Sequence, residues 1–124
     1  MTEAHANTAE VIKRFNEAFL ERDAAQLVEL IADDCVMEST QPPPNGTRYE
    51  GYDACLRFWQ ELIADPEGSF EPEEVFVLGD RATIRWRYRF GEGDESSVRG
   101  VNLMQVRDGK ITEALGYVKA GLRS

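Results

Sequence analysis

One stretch decides the fold of this chain: Arg81-Ala82-Thr83-Ile84-Arg85-Trp86-Arg87-Tyr88-Arg89-Phe90. Alternate residues are apolar from Ile84 to Phe90, and arginines stand between them. Period two is typical of a strand with two different faces, and a slip of one residue would bury three arginines. We therefore predict a strand with an aromatic inner face. Such a face forms a concave wall that is either packed solid or encloses a small molecule.

Composition excludes several classes of partner. The 124-residue length fits a single domain, residues 1–124, with an adequate core. The chain carries 14 basic and 23 acidic residues, a formal net charge of −9, which opposes binding to phosphate backbones and anionic lipid. Neither a nucleic acid nor a membrane is expected as a partner. No apolar run approaches the roughly 20 residues of a membrane span, and no secretory signal is present, so we expect a cytoplasmic protein.

The histidine and cysteine content restricts the chemistry. The single histidine, His5, lies in residues 1–7, which we expect to be frayed. Catalytic triads and histidine-rich metal sites need an imidazole held in a pocket, and the chain has no glycine-rich phosphate loop. We therefore expect no metal and no cofactor. Cys35 and Cys55 could pair, but two cysteines in a chain without a secretory signal are more often reduced and buried.

Helical periodicity predicts three helices in the first half of the chain. The first runs from Thr8 to Arg22, with apolar residues recurring at helical spacing. Asp23 is a typical N-cap for a second helix, which ends at Asp33-Asp34. The third runs from Tyr52 to Ala64 and is stopped by Asp65-Pro66-Glu67-Gly68.

Strands make up most of the rest. Asp108-Gly109 is a strong two-residue hairpin signal. Helices first and a meander of strands afterwards predict an α+β fold, in which the helices cover one face of a curved, mainly antiparallel sheet. A short tail follows at residues 120–124. The predicted strands are Cys35–Thr40, Phe70–Leu78, Arg81–Phe90, Ser97–Arg107 and Lys110–Lys119.

Four features together resemble one family: the order of the helices, the run Leu30-Ile31-Ala32-Asp33-Asp34, Gly51 before the third helix, and Val106-Arg107-Asp108-Gly109-Lys110-Ile111. In combination they resemble the SnoaL-like branch of the nuclear transport factor 2 superfamily. Its relatives include ketosteroid isomerase, polyketide cyclases and limonene epoxide hydrolase. The resemblance implies a cone-like fold, three N-terminal helices packed on a strongly curved sheet, with an apolar pocket at its wide end. Many members dimerise through the outer sheet face.

The resemblance also indicates which catalytic groups of the relatives are present. Where the isomerase has its aspartate base, this chain has Ser39, with Glu38 one residue earlier. The isomerase's helix tyrosine falls at Phe15, which cannot donate a hydrogen bond, and its protonated aspartate falls at Asn102, whose amide can. Steroid isomerisation is therefore not expected.

The epoxide hydrolases and some cyclases differ from this chain on the last strand. Where they place an aspartate, this chain has Gly116, and the family's next aspartate is replaced by Lys119. These replacements favour a binding module over an enzyme.

Two residues are the candidate catalytic groups. Asn102 could orient a carbonyl or stabilise an enolate, or it could be a satisfied core amide. Glu38 could be a desolvated base, but strand alternation favours an outward direction, because Met37 and Ser39 match the inward positions.

The candidate ligand-binding residues are mostly large and apolar, and a plain core is the competing interpretation. The small residues Gly100, Ala114 and Gly116 are expected to leave volume opposite the aromatic ones. The loop Pro42–Gly46 is either a connector or a rim of the pocket. The candidate ligand-binding residues are Phe15, Phe19, Met37, Ser39, Tyr49, Trp59, Trp86, Tyr88, Met104 and Gly116.

The sequence thus predicts a binder of a small apolar or carbonyl-containing ligand, with cofactor-free isomerase, cyclase or dehydratase chemistry if it is an enzyme. The alternative is a non-catalytic ligand-binding or dimerisation module. A homodimer would use the outer sheet face, where Arg87 and Arg99 would meet acids of the partner and Val101 and Leu103 would supply apolar area.

Overall fold

A computed structural model describes the backbone of residues 2–119 and the side chains of residues 7–119. Within residues 2–119, two α-helices and a six-stranded mixed sheet build the fold. The fraying expected for residues 1–7 and the tail expected at 120–124 stay predictions, since Met1, the side chains of residues 2–6 and residues 120–124 lie outside the described part. The elements are α1 (Thr2–Leu20), a 3₁₀ helix (Ala24–Leu27), β1 (Ile31–Glu38), β2 (Arg48–Glu50), α2 (Tyr52–Ala64), β3 (Ser69–Leu78), β4 (Arg81–Arg89), a second 3₁₀ helix (Asp94–Ser96), β5 (Ser97–Arg107) and β6 (Lys110–Val118).

The two long helices cover the inner face of the sheet. Helix α1 begins at Thr2 and not at Thr8, and it buries an apolar stripe that includes Phe15 and Phe19. Helix α2 has the predicted bounds and begins after Gly51, whose φ of 96° is a conformation that side-chain-bearing residues rarely adopt. Within residues 2–119, neither helix is long and apolar enough to cross a membrane.

The predicted second helix is wrong. Asp23 does act as an N-cap, its side chain accepting a hydrogen bond from the Ala25 amide at 3.2 Å, but the helix is a single 3₁₀ turn of four residues. The chain then enters β1 at Ile31, because the Leu30 carbonyl accepts a hydrogen bond from the Ile111 amide at 2.6 Å. Pairing with the last strand therefore overrides the helical spacing of Leu30 and Ile31.

The sheet has the order β2-β1-β6-β5-β4-β3. Every neighbouring pair is antiparallel except β1 with β6, which is parallel, so the sheet is mixed. The three-residue β2 was not expected, and β1 occupies Ile31–Glu38 instead of the predicted Cys35–Thr40. Irregularities of register occur in three strand pairs, β1–β6, β3–β4 and β5–β6, and such bulges let a sheet bend around its helices.

The alternation along β4 is realised in the structure. Ala82, Ile84 and Trp86 are buried on the inner face, and Arg85 is exposed on the outer face. The hairpin between β5 and β6 turns at Asp108 and Gly109, which have φ angles of 56° and 77°. A type I′ turn requires positive φ at both positions. The sequence therefore predicts both the face and the turn correctly.

The outer-face arginines are neutralised within the chain. Arg85 contacts Glu74 at 2.7 Å and Arg89 contacts Glu71 at 3.0 Å. Arg87 and Arg99 are direct cross-strand neighbours, and Glu73 bridges them, at 3.5 Å from Arg87 and 2.7 Å from Arg99. The hydrogen bond from Arg99 lowers the pKa of Glu73. These arginines thus have acidic partners within the chain, and their contact with acids of a second copy stays a prediction.

The two cysteines lie at the contact between α2 and β1. Both are free and buried, as the sequence predicts. The Cys55 thiol approaches the Cys35 carbonyl oxygen at 3.6 Å, and the neighbouring Cys55 thiol together with burial raises the pKa of the Cys35 thiol. Both cysteines therefore serve as small, packed side chains in this contact.

Candidate functional site

A cavity of about 720 Å³ lies between the two helices and the inner face of the sheet. Its floor is buried, with Phe15, Met37, Trp59 and Trp86 each less than a tenth exposed. Its rim is formed by exposed residues from three different segments. These rim residues are Gln41, Asp65, Glu67 and Phe90.

Aromatic rings form a continuous wall along the cavity. The Phe15 ring packs against Trp59 at 5.1 Å between centroids, in an edge-to-face arrangement that aromatic rings prefer. Phe19 links Phe15 to Phe70 at centroid distances of 5.0 and 4.9 Å, and Phe70 contacts Trp86 at 5.6 Å. The wall therefore runs from α1 to the sheet.

Asn102 is the polar group on the sheet side of the cavity. It lies opposite Ile84 on β4 and Gly116 on β6, and its Oδ1 accepts a hydrogen bond from the Trp86 indole Nε1 at 3.1 Å. An indole N–H can only donate, so this contact fixes which end of the amide faces Trp86. The Asn102 Nδ2 group has no hydrogen-bond acceptor within residues 7–119, so its N–H groups are available to a ligand.

Glu38 lies at the edge of the cavity, but its carboxylate is held on the other side of the strand. Met37 and Tyr49 form one cross-strand pair and Glu38 and Arg48 the next, so the two pairs point to opposite faces. The Arg48 guanidinium contacts the Glu38 carboxylate at 3.1 Å and also binds Glu50 at 2.7 Å. This geometry contradicts an inward-facing base at Glu38, because the carboxylate is engaged outside.

The small residues of the sheet do not all create space. A Cβ on Gly100 would lie 2.7 Å from the Trp86 ring, so the indole occupies the place of the missing side chain. Ala114 and Met104 are buried together in the core and do not line the cavity, which corrects the expectation for Met104. Gly116 does line the cavity, and a Cβ there would lie 3.3 Å from Asn102 Oδ1.

The segment after β1 supplies polar backbone and hydroxyl groups. Ser39 lies at the cavity, but its hydroxyl donates to the Gln41 carbonyl at 2.9 Å and accepts from the Thr47 amide at 3.2 Å. The Ser39 hydroxyl therefore stabilises the loop between β1 and β2 by bonding to both of its ends. Tyr49 packs on Phe58 of α2 at a centroid distance of 4.9 Å and lines the cavity. Pro42–Gly46 itself does not line the cavity, so it is a connector.

Tyr88 marks the other end of the inner face from Asn102. A Cβ on Gly68 would overlap the Tyr88 hydroxyl, so this close approach requires glycine. Burial, and then the nearby Asp65 carboxylate, raise the pKa of the Tyr88 phenol. The hydroxyl therefore stays neutral at physiological pH.

The structure thus brings the expected residues to one cavity, with the exceptions of Met104 and the Glu38 carboxylate. Sequence reasoning missed two groups of lining residues. Phe58 and Leu62 lie on α2 and follow its helical spacing, and Val98 alternates with Gly100 and Asn102 on β5, so periodicity could have found all three. The other missed residues carry no periodic signal, and they are Thr40, Gln41, Asp65, Glu67 and Phe70. In residues 7–119, no group of three or more His, Cys, Asp and Glu side chains is arranged to hold a metal ion.

The chain is similar to known proteins over most of its length. The sequence model of the SnoaL-like domain matches residues 12–114. A nuclear transport factor 2-like protein of unknown function from Mesorhizobium loti is 52% identical, with a TM-score of 0.87 over 94% of this chain and 93% of that one. A candidate polyketide cyclase from Sinorhizobium meliloti is 27% identical, with a TM-score of 0.71 over 87% and 94%.

More distant structures share the fold alone. A candidate ketosteroid isomerase from Kribbella flavida is 18% identical, with a TM-score of 0.79 over 97% of this chain and 83% of that one. No curated protein matches the chain.

Proposed function

The chain belongs to the SnoaL-like domain family, and from this premise we propose that it binds a small, largely apolar carbonyl compound in the cavity between its helices and sheet. A cavity of about 720 Å³ accommodates a small organic molecule. Its aromatic wall favours an apolar body by burial of apolar surface. The carbonyl group of the ligand would lie at Asn102.

The orientation of Asn102 is the observation that carries this proposal. The Trp86 indole binds its Oδ1 at 3.1 Å, so Nδ2 is the end directed away from Trp86. Asn102 is half-buried and its Nδ2 has no acceptor among residues 7–119, so a ligand carbonyl in the cavity would accept from it in place of water. A ligand that presents a hydrogen-bond donor to Asn102 would leave both N–H groups of Nδ2 without an acceptor.

Carbonyl binding at Asn102 also defines the chemistry that an enzyme could do here. A hydrogen bond to the carbonyl oxygen stabilises an enolate, which favours isomerisation, cyclisation or dehydration without a cofactor. These reactions need a base as well, and Arg48 holds the Glu38 carboxylate away from the cavity. Non-catalytic binding of the carbonyl compound is therefore the part of the proposal that the geometry supports most directly.

The test uses the fluorescence of the protein itself. Both tryptophans of the chain, Trp59 and Trp86, line the cavity, so an aromatic ligand should change their emission. We expect 4-phenylbutan-2-one to bind saturably and more tightly than n-butylbenzene, which has a similar shape but no carbonyl. Failure of both compounds to change the emission would overturn the proposal.

We further propose that two copies associate through the outer sheet face. Phe76 and Leu103 belong to one cross-strand row, and Tyr117 lies opposite Val101 in the next. The relative exposures of Phe76, Leu103 and Tyr117 are 54%, 38% and 56%. The arginines around this patch are paired within the chain, so two identical patches can meet without facing free charges of like sign.

Sedimentation velocity tests the dimer. Leu103→Glu should lower the sedimentation coefficient to that of a monomer, because it places a carboxylate in the apolar patch. Leu20→Glu is the matched control, since Leu20 is also exposed but lies on α1. A wild-type protein that sediments as a monomer at all concentrations would refute this proposal.

A further inference from the structure

The charged residues that line the cavity all have the same sign. Within residues 7–119, Glu38, Asp65 and Glu67 line the cavity and no basic residue does. Arg48 neutralises Glu38 at 3.1 Å. Asp65 and Glu67 take part in no ion pair among the described residues, and the Arg22 guanidinium is the one cation bound to the backbone of this turn, so two carboxylates outnumber the positive charge at the rim at the end of α2.

Arg22 holds this acidic rim in place. Arg22 follows α1 in the left-handed conformation, with φ of 54°, and its guanidinium reaches the end of α2. It donates to the Ile63 carbonyl at 2.9 Å, to the Asp65 carbonyl at 3.0 Å and to the Gly68 carbonyl. The Ile63 carbonyl belongs to the last turn of α2, where carbonyls lack helical partners, and the other two belong to the turn that follows, so one side chain ties the turn that carries both carboxylates to the helix end.

The Asp65 carboxylate is oriented within this turn. Its Oδ1 accepts a hydrogen bond from the Glu67 amide at 2.9 Å, and its charge acts on the Tyr88 phenol. The other carboxylate oxygen of Asp65, Oδ2, can also accept a hydrogen bond. Asp65, Glu67 and the Tyr88 hydroxyl therefore give this end of the cavity a surplus of acceptors, whereas Asn102 supplies donors at the other end.

The distance between the Asn102 end and the Tyr88 end of the cavity can be measured in residues along β4. Asn102 lies opposite Ile84, and Tyr88 is four residues further along β4. At about 3.3 Å per residue, the two polar ends are separated by roughly 13 Å along the sheet. A ligand whose carbonyl and second polar group are on the order of 10 Å apart therefore matches the scale of this backbone separation.

We propose that Asp65 and Glu67, held by Arg22, are specificity-determining residues that select a carbonyl compound with a hydroxyl or ammonium group at its far end and reject one with a carboxylate there. This inference rests on the proposed binding of a carbonyl at Asn102. It adds the second functional group of the ligand and the sign of its charge.

A matched series of ketones tests the selection. The probes are 4-phenylbutan-2-one and its para-aminomethyl, para-hydroxymethyl and para-carboxylate derivatives, titrated against tryptophan emission. We expect the aminomethyl compound to bind roughly three- to tenfold more tightly than the carboxylate, as for charges that interact near a protein surface. This ratio should shrink when salt is raised from about 0.02 M to about 0.5 M.

Substitutions in the rim test whether Asp65 and Glu67 cause the preference for the aminomethyl ketone over the carboxylate ketone. Asp65→Asn with Glu67→Gln should bring the ratio close to one, because it removes both carboxylate charges while Asn keeps the oxygen that accepts from residue 67. Glu10→Gln with Glu61→Gln is the control, since it removes the same charge from exposed positions outside the cavity. It should leave the ratio as in the wild type.

Arg22→Lys tests whether the selection requires Arg22 to hold the turn that carries Asp65 and Glu67. Lysine keeps the charge but cannot reach three carbonyls with a planar fork, so the ratio should fall while affinity for the parent ketone persists. Equal binding of the aminomethyl and carboxylate ketones by the wild type would overturn this inference and leave the proposed function standing. Absence of binding by every ketone would overturn the proposed function itself.

Discussion

Replacing Asn102 by leucine should remove the preference of the cavity for a ketone over a hydrocarbon. The variant loses both amide donors but keeps a side chain of similar volume. A ketone carbonyl would then be desolvated without a partner, which costs about 1–3 kcal/mol in proteins. Asn102 is only half-buried, so the lower part of that range applies. We expect about 1–2 kcal/mol, a loss of affinity of roughly 5- to 30-fold for 4-phenylbutan-2-one.

The same substitution has a separate cost for the fold. The Trp86 side chain is 6% exposed, and its indole N–H loses the acceptor at 3.1 Å. An unsatisfied buried donor destabilises by about 1–2 kcal/mol, which lowers the melting temperature of a domain of this size by roughly 4–8 °C. Binding is therefore measured well below the melting temperature. The ketone affinity is compared with that of n-butylbenzene, which should bind the variant no more weakly than the wild type.

Asn102→Asp provides a second, independent readout. One carboxylate oxygen can still accept from the indole, so the fold is better preserved, but the other oxygen is an acceptor where the amide was a donor. Ketone binding should be weak at neutral pH and should recover as the pH falls, because a protonated carboxyl group can donate to the ketone. Burial raises the pKa of such a carboxyl, whereas the indole N–H lowers it.

One pattern of affinities would refute carbonyl binding by Asn102. If Asn102→Leu binds the ketone and the hydrocarbon in the same ratio as the wild type, Nδ2 does not bind the carbonyl. The pH profile separates this result from a general effect on the cavity, since Asn102→Leu has no group there that could recover at low pH.

Three further substitutions test the packing and the charges. Gly100→Ala should destabilise the protein by about 1–3 kcal/mol in urea unfolding, because its Cβ would meet the Trp86 ring at 2.7 Å and the Tyr117 carbonyl. Gly116→Ala should weaken ketone binding more than hydrocarbon binding in fluorescence titrations, since its Cβ would lie 3.3 Å from the amide that binds the carbonyl. Glu73→Gln should destabilise the protein at neutral pH; the pKa of this glutamate is lower in the folded state than its ordinary value of 4.5, so the difference from wild type should vanish on acidification through that lowered pKa.

Local patterns account for what the sequence predicted correctly. The alternation along β4 needs only neighbouring residues, and the Asp108-Gly109 turn needs two residues that tolerate positive φ. The bounds of α2 follow from Gly51 before it and Asp65-Pro66 after it. Each of these signals is contained in a short window, so no tertiary contact can override it easily.

Long-range pairing accounts for the errors. Leu27, Leu30 and Ile31 fit a helical stripe, but the parallel pairing of Ile31 with Ile111 turns the last of them into a strand. The three-residue β2 carries too short a pattern to recognise, and it exists because Met37 pairs with Tyr49. Neither partner strand is visible from the local sequence.

A bulge explains why Phe70 was missed as a cavity residue. Counting back from the turn at Gly79 in strict alternation puts Phe70 on the outer face. The register shifts by one residue at Glu73, so Phe70 pairs with Tyr88 and points inward. The same extra residue places the Glu73 carboxylate between two arginines. The contact between Trp86 and Asn102 likewise depends on the register of β4 and β5, which the sequence does not reveal.

The parallel pairing of β1 with β6 has a consequence for synthesis on the ribosome. Met37 lies beside Ala114, and the two are separated by most of the polypeptide. A nascent chain that has not yet released residues 110–118 from the exit tunnel has no central strand between β1 and β5. The two helices and the aromatic wall of the cavity have then already emerged, so the cavity can close only after residues 110–118 are released, and until then the nascent chain exposes an apolar surface to chaperones.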